Sequence, residues 1–211
     1  MRTISEWEKE FRRATEKHDV AALKALGPAK PFLVVVPLAL VKQWIEELQR
    51  FSPIFDIQVY HNKSSTQKSA TADVLRWNVI FTQKHELFNG DLANARVVVI
   101  STYGTIASHH SPNALKKWRE RIYKTTEAKE SVRQPDDWFE QPDRKWPRDL
   151  SGRWHSILLD EAHHVRNSDS LAHIAIGFMD CPFTVLYSAA PLFRRSQHGK
   201  RRHHAAVCNG L

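Results

Sequence analysis

Four short apolar runs constrain this chain more than any other feature: Phe32–Val36 (FLVVV), Val97–Ser101 (VVVIS), Trp154–Leu159 with its Ile-Leu-Leu core, and Phe183–Tyr187 (FTVLY). Each is uninterrupted or nearly so, and most are rich in β-branched residues. That is the pattern of strands buried on both faces, as in a parallel sheet. Stretches of helical period lie between them. Parallel strands joined by helical crossovers form a sheet covered on both sides. The expected fold is therefore α/β: three layers, with a central, mostly parallel sheet flanked by helices. Each run ends in a small or polar residue, at Pro37, Thr102, Asp160 and Ser188. In such a sheet these ends share one edge, where ligands bind.

The intervening segments fill in the order. Ser5 and Glu8 have the spacing of a capping box, opening a first helix that carries Trp7, Phe11 and Ala14. Asp19 can cap a short second helix, Val20–Leu26, ended by Gly27-Pro28. Residues 1–30 thus read as a helical arm. Leu38–Phe51 places Leu40, Val41, Trp44, Ile45, Leu48 and Phe51 on one helical face. Phe55–Tyr60 is a second strand, and His61–Thr71 a polar loop. Residues 72–90 read as a short helix, a possible strand at Val79–Thr82 and a helical turn near His85–Phe88. Further helices are expected near Ala114–Tyr123 and Ser170–Met179. Residues 125–150, with Pro135, Pro142 and Pro147 among charges, read as an insertion pinned in part by Trp138, Phe139 and Trp146. The last stretch, 194–211, has neither helical nor strand pattern and reads as a basic, disordered tail.

Composition excludes some classes. With 211 residues and 42% hydrophobic content the chain can bury a sizeable core. It has no apolar run near the ~20 residues of a membrane span. Its N-terminus has no signal-peptide character, which reads as intracellular, and two cysteines give no disulfide framework. Net charge is +8, of which five positives, Arg194, Arg195, Lys200, Arg201 and Arg202, lie in the tail. Such a tail suits nucleic acid or a nuclear address. Twelve histidines, including His109-His110, His163-His164 and His203-His204, raise zinc chemistry. Adjacent histidines are expected to diverge, and neither His-Glu-x-x-His nor Cys-x-x-Cys occurs.

The densest chemistry is Trp154–Asn167 (WHSILLDEAHHVRN). Asp160 and Glu161 follow an apolar strand directly, with Ala162 and His163 behind them. Two carboxylates at a strand's carboxyl end can hold a hydrated Mg²⁺ and polarise a water, as nucleotide hydrolysis requires.

Four segments together resemble the Swi/Snf-type helicase-like ATPases of superfamily two. PFLVVVPLALVKQWIEELQRF is similar to their motif Ia, VVVISTYGTI to motif Ib, and WHSILLDEAHHVRNSDS to motif II, the DEAH box. TVLYSAAPLFR occupies the place of motif III. Order and spacing agree over about residues 31–193. The resemblance implies the first RecA-like lobe of an ATP-dependent DNA translocase or chromatin remodeller. It implies ATP and Mg²⁺ as cofactors and double-stranded DNA or nucleosomes as partners. A complementing second lobe and a nuclear location follow from it too. It assigns Asp160 to the Mg²⁺ shell through water and Glu161 to the attacking water. His163 would couple the nucleotide site to motif III, near the nucleotide-side Ser188. Pro37, Lys42, Gln43, Ser101, Thr102 and Tyr103 would face DNA, contacting mostly phosphates. Trp44, on the apolar stripe, reads as core.

The chain departs from the family's pattern in three ways. No Gly-x-x-x-x-Gly-Lys-Ser/Thr occurs, so the backbone cradle for phosphates and its Lys are missing. Motif III has Ala190-Pro191 where a hydroxyl is usual. The second lobe, source of an arginine finger worth about 10³–10⁵ in rate, does not fit in the residues after motif III. The expectation is an incomplete lobe, inactive alone; the alternative is a non-catalytic DNA- or chromatin-binding module.

Overall fold

A computed structural model describes residues 4–17, 19, 21–22, 27–61, 73–74, 81–125, 143–189 and 205–208. Their seven strands are β1 (Phe32–Val36), β2 (Asp56–Tyr60), β3 (Asp73–Val74), β4 (Val97–Thr102), β5 (Ser156–Asp160), β6 (Thr184–Tyr187) and β7 (Ala205–Cys208). They form one sheet of order β3-β2-β4-β1-β5-β6-β7. Every pairing is parallel. The helices are α1 (Ile4–Glu16), α2 (Val41–Phe51), α3 (Tyr103–His110), α4 (Pro112–Thr125) and α5 (Leu171–Phe178).

Strand alternation divides the core in two. Leu33, Val35, Val99, Ile157 and Leu159 point to one face, with Trp154, Phe81, Tyr103 and Ile106. Val34, Val36, Val98 and Ile100 point to the other, where Ile45, Val41, Trp44 and Leu48 of α2 cover them. Both faces of β1 and β4 are thus closed, as their unbroken apolar sequence requires. Each fully buried aliphatic side chain contributes about 1.5–3 kcal/mol of transfer free energy. A third cluster sets Trp146 against Ala114 and Leu115 of α4, with Trp118 and Phe178 packed alongside. The insertion's aromatic anchor at Trp146 is buried; Trp138 and Phe139 lie outside the described residues.

Register explains the shared edge. Val36 aligns with Thr102, Tyr60 with Ser101, and Asp160 with Tyr187. The residues just after these, Pro37, His61, Tyr103, Glu161 and Ser188, therefore ring one rim of the sheet.

Several expectations give way to tertiary context. Ser5 lies inside α1 rather than at its cap position, and Glu8 receives Arg96 through two bonds of 2.6 and 2.7 Å. Asp19 does accept from the Ala22 amide at 2.9 Å, while most of the short helix expected there lies outside the described residues. A 3-10 turn, Leu38–Leu40, precedes α2, and Phe51 at its end is 68% exposed with Arg50 over its ring. The apolar stripe runs on past the sheet it covers. Asp73–Val74 is a strand rather than a helix, drawn to the free edge of β2. Phe81 and Thr82 belong to no strand, and Val79 lies outside the described residues. The turn at Glu86–Phe88 is present. Helix α3 was not expected. Its sequence YGTIASHH is nearly unpatterned, and its start is set by Thr102, whose hydroxyl accepts from the Thr105 amide. In the tail, Ala205–Cys208 pairs with β6 although the stretch carries no strand pattern. An open neighbouring strand supplies backbone partners that four residues cannot supply for themselves.

Candidate active site

Asp160 closes β5 and is 7% exposed. All three of its oxygens are engaged. Oδ1 accepts from the Glu161 amide at 2.9 Å and Oδ2 from the Trp44 indole N–H at 2.7 Å. The backbone oxygen accepts from the Tyr103 hydroxyl at 2.6 Å. The acid is thus clamped from α2, from α3 and from its own chain. Desolvation pushes the Tyr103 phenol up, and the negative charges of Asp160 and Glu161 add to that, so it remains a donor.

Glu161 reverses the chain direction with φ 51° and ψ 47°, in the left-handed region. A non-glycine residue there costs of order 1–3 kcal/mol and is held by its surroundings. Its carboxylate meets His163 Nδ1 at 3.1 Å, with both side chains about two-fifths exposed (42% for His163, 35% for Glu161). His163 stacks on His164 at 4.5 Å and 27°, and His164 stacks on Tyr103 at 5.1 Å. Adjacent histidines were expected to diverge; the tight turn over Ala162–Val165 brings this pair together instead. On the longer helix α3, His109 and His110 do splay, at 75°. The strain at Glu161 has a consequence: Glu161→Gly is expected to keep or raise stability by up to about 1 kcal/mol in urea titration. A fall of more than that would show that the carboxylate itself holds the turn.

Of the residues expected to face DNA, the structure leaves three accessible and turns three inward. Lys42 is exposed and pairs with Glu46 one turn on, at 3.6 Å; Gln43 is exposed and Pro37 half-buried. Ser101 is buried and donates to the Tyr60 carbonyl at 2.8 Å. Thr102 is buried as the cap of α3, and Tyr103 is buried against Asp160. Hydroxyls at a strand-to-helix junction are drawn to the backbone groups freed there. Ser188 is buried one residue past Tyr187, level with Glu161 across the register. Trp44 joins the core stripe as expected, and its indole reaches a carboxylate 116 residues away. Neither that contact nor the Tyr103 bond, 57 residues long in sequence, has a local signature.

Two hard carboxylates on one rim fit a hydrated Mg²⁺ whose remaining ligands come from water and phosphate. They do not make a free-standing cage: among the described residues no group of three or more His, Cys, Asp or Glu is placed to hold a metal. A cavity of about 310 Å³ lies on the opposite side of β5, lined by Leu159, Ala162, Val165, Ile176 and Leu186. Because Leu159 and Asp160 alternate across the sheet, it is separate from the acid site.

A parallel α/β sheet with acids at the carboxyl end of an inner strand sets them where open α/β sheets bind their ligands. Residues 21–198 match the family described as the SNF2-related domain, and the chain belongs to that family. It is also similar to a solved structure described as the Sulfolobus solfataricus SWI2/SNF2 ATPase core in complex with dsDNA. The two share 15% identity and a TM-score of 0.38, over 86% of this chain and 24% of that one. The chain thus spans about a quarter of that protein's length.

Proposed function

We propose that this chain is the acid-bearing first lobe of a Swi/Snf-type ATP-dependent DNA translocase, and that it does not turn over ATP by itself. The observation that carries the reading is the pair Asp160-Glu161 at the end of β5 in a member of the SNF2-related family. When bound, Mg²⁺ would neutralise charge on the phosphates and lower the barrier to attack by water. Asp160, held rigid by three donors, is suited to accept hydrogen bonds from a hydrated cation. Glu161, more exposed and leaning on His163, is suited to orient a water. His163 would hold that carboxylate in place, and Ser188, just past the end of the next strand, would stand level with it. No Gly-x-x-x-x-Gly-Lys-Ser/Thr loop is present within the 211 residues, so this chain would hold ATP and Mg²⁺ only weakly.

The purified chain is expected to hydrolyse ATP at background, with or without duplex DNA, and Glu161→Gln is expected to change nothing. Turnover abolished by that substitution would overturn the inactivity.

A second reading, a non-catalytic DNA- or chromatin-binding module, is favoured by the exposed Lys42 and Gln43 in the first turn of α2 and by the +8 charge. It expects duplex binding in a filter assay that weakens steeply between low and physiological salt. Binding should fall when Lys42 and Arg194, Arg195, Arg201 and Arg202 are neutralised. No retention of duplex at low salt counts against it. Nucleosomes as partner, a complementing second lobe and a nuclear setting complete the proposal. A fluorescent fusion that stays cytoplasmic in nucleated cells would remove the last of these.

A further inference from the structure

The indole of Trp44 is 2.7 Å from Asp160 Oδ2, at the short end of the range for hydrogen bonds to ionised acceptors. This is not how the chain treats its other enclosed indoles. The N–H groups of Trp146 and Trp154 are buried with no partner among the described residues. Among the described residues Trp44 alone is aimed at a carboxylate, and that carboxylate is the one at the strand end. The Glu161 amide fixes Oδ1. The two donors together fix the plane of the carboxylate, leaving its remaining lone pairs directed away from both. Trp44 is itself held by α2, whose Val41, Ile45 and Leu48 pack on Val34, Val36 and Ile100. A rigid helix therefore sets the orientation of the acid.

We propose that Trp44 is a positioning residue for Asp160: its indole N–H orients the carboxylate that takes up a hydrated divalent cation. The proposal rests on the nucleotide-site reading above and assigns a role to a residue otherwise taken as core. Partners of this kind, hydrogen-bonded to a ligand rather than to the metal, typically contribute about 10–100-fold in metal affinity. The opposite role, in which the indole competes with the cation for Oδ2, predicts the opposite sign.

The test uses the whole chain and Mn²⁺ as probe, followed by electron paramagnetic resonance with ATP present. Trp44→Phe keeps an aromatic ring on the apolar stripe and removes the donor together with the pyrrole part of the indole. It is expected to weaken Mn²⁺ binding about 10–100-fold, with its Tm within a few degrees of the parent chain. In a ¹⁵N-labelled sample the Trp44 indole proton, identified by its loss in Trp44→Phe, should lie downfield. It should move upfield in Asp160→Asn, and shift when Mg²⁺ is added to the unsubstituted chain. This second readout does not depend on how well Trp44→Phe folds. Equal Mn²⁺ affinity in the two proteins, or tighter binding by Trp44→Phe, overturns the positioning role. So does an indole proton that ignores Asp160→Asn. If the unsubstituted chain binds no Mn²⁺ even with nucleotide, the nucleotide-site reading fails first, and this proposal falls with it.

Discussion

Trp154→Ala is expected to lower stability by about 3–5 kcal/mol, the range for truncating a large buried aromatic. Trp154 is fully buried just ahead of β5, with ring contacts to Phe81 at 6.1 Å and Phe88 at 5.2 Å, both edge-on. It lies in the core cluster that also holds Ile157 and Leu159, so the cavity opens beneath the strand that delivers Asp160. Against a typical stability of about 5–15 kcal/mol, such a loss can leave the chain largely unfolded. The paired variant Trp154→Phe should cost far less. It keeps an aromatic ring in the slot and removes an indole N–H that is buried with no partner among the described residues, a group whose burial costs about 1–3 kcal/mol. Urea midpoints of the two variants decide the matter. Similar losses in both would mean that the ring's shape, rather than its buried volume and orphan donor, sets the energy.

Acid is expected to destabilise the fold between about pH 6.5 and about pH 3, with His110 as the largest single source. His110 is fully buried on α3, and desolvation pushes its pKa down to about 3, with the charges of His109 and Arg148 acting in the same direction. Its bonds account for the neutral form. Nδ1–H donates to the Arg148 carbonyl at 2.9 Å, which leaves Nε2 to accept from the Tyr60 hydroxyl at 3.2 Å. The Tyr60 oxygen then accepts from His109 Nδ1–H at 2.6 Å. A proton added to His110 would have to turn the Tyr60 O–H away and carry its charge fully desolvated. In this window the unfolded chain takes up a proton that the folded chain refuses, so stability falls as pH falls. The slope is about 1.4 kcal/mol per pH unit for one such site. His85, His109 and His155 are also lowered by burial and add in the same sense. Asp149, raised by burial, opposes them weakly at the acid end. Unfolding titrations from pH 7.5 to 4 should show the slope, and His110→Gln, less stable at neutral pH, should lose the His110 share of it. A slope unchanged in that variant would place the acid sensitivity elsewhere.

The four apolar runs were enough to specify β1, β4, β5 and β6, because continuous β-branched sequence has few low-energy options besides a doubly covered strand. Asp160 and Glu161 were legible for the same reason: a strand end locates whatever follows it. The sheet's weaker members were not legible. Asp73–Val74 and Ala205–Cys208 become strands only because β2 and β6 offer open edges. Helix α3 escaped because its buried positions, Tyr103, Thr105, Ile106 and His110, are half polar and leave no apolar period to read.

The sequence by itself determined the layers, the parallel order of connections and the position of the acid pair, since these follow from local pattern and chain connectivity. Only the tertiary structure decided what surrounds the acids. Ser101, Thr102 and Tyr103 turned inward to satisfy backbone groups that come within reach only once the sheet has formed. Trp44 found Asp160 across 116 residues because α2 covers the sheet beside the end of β5, and no period within either segment encodes that distance.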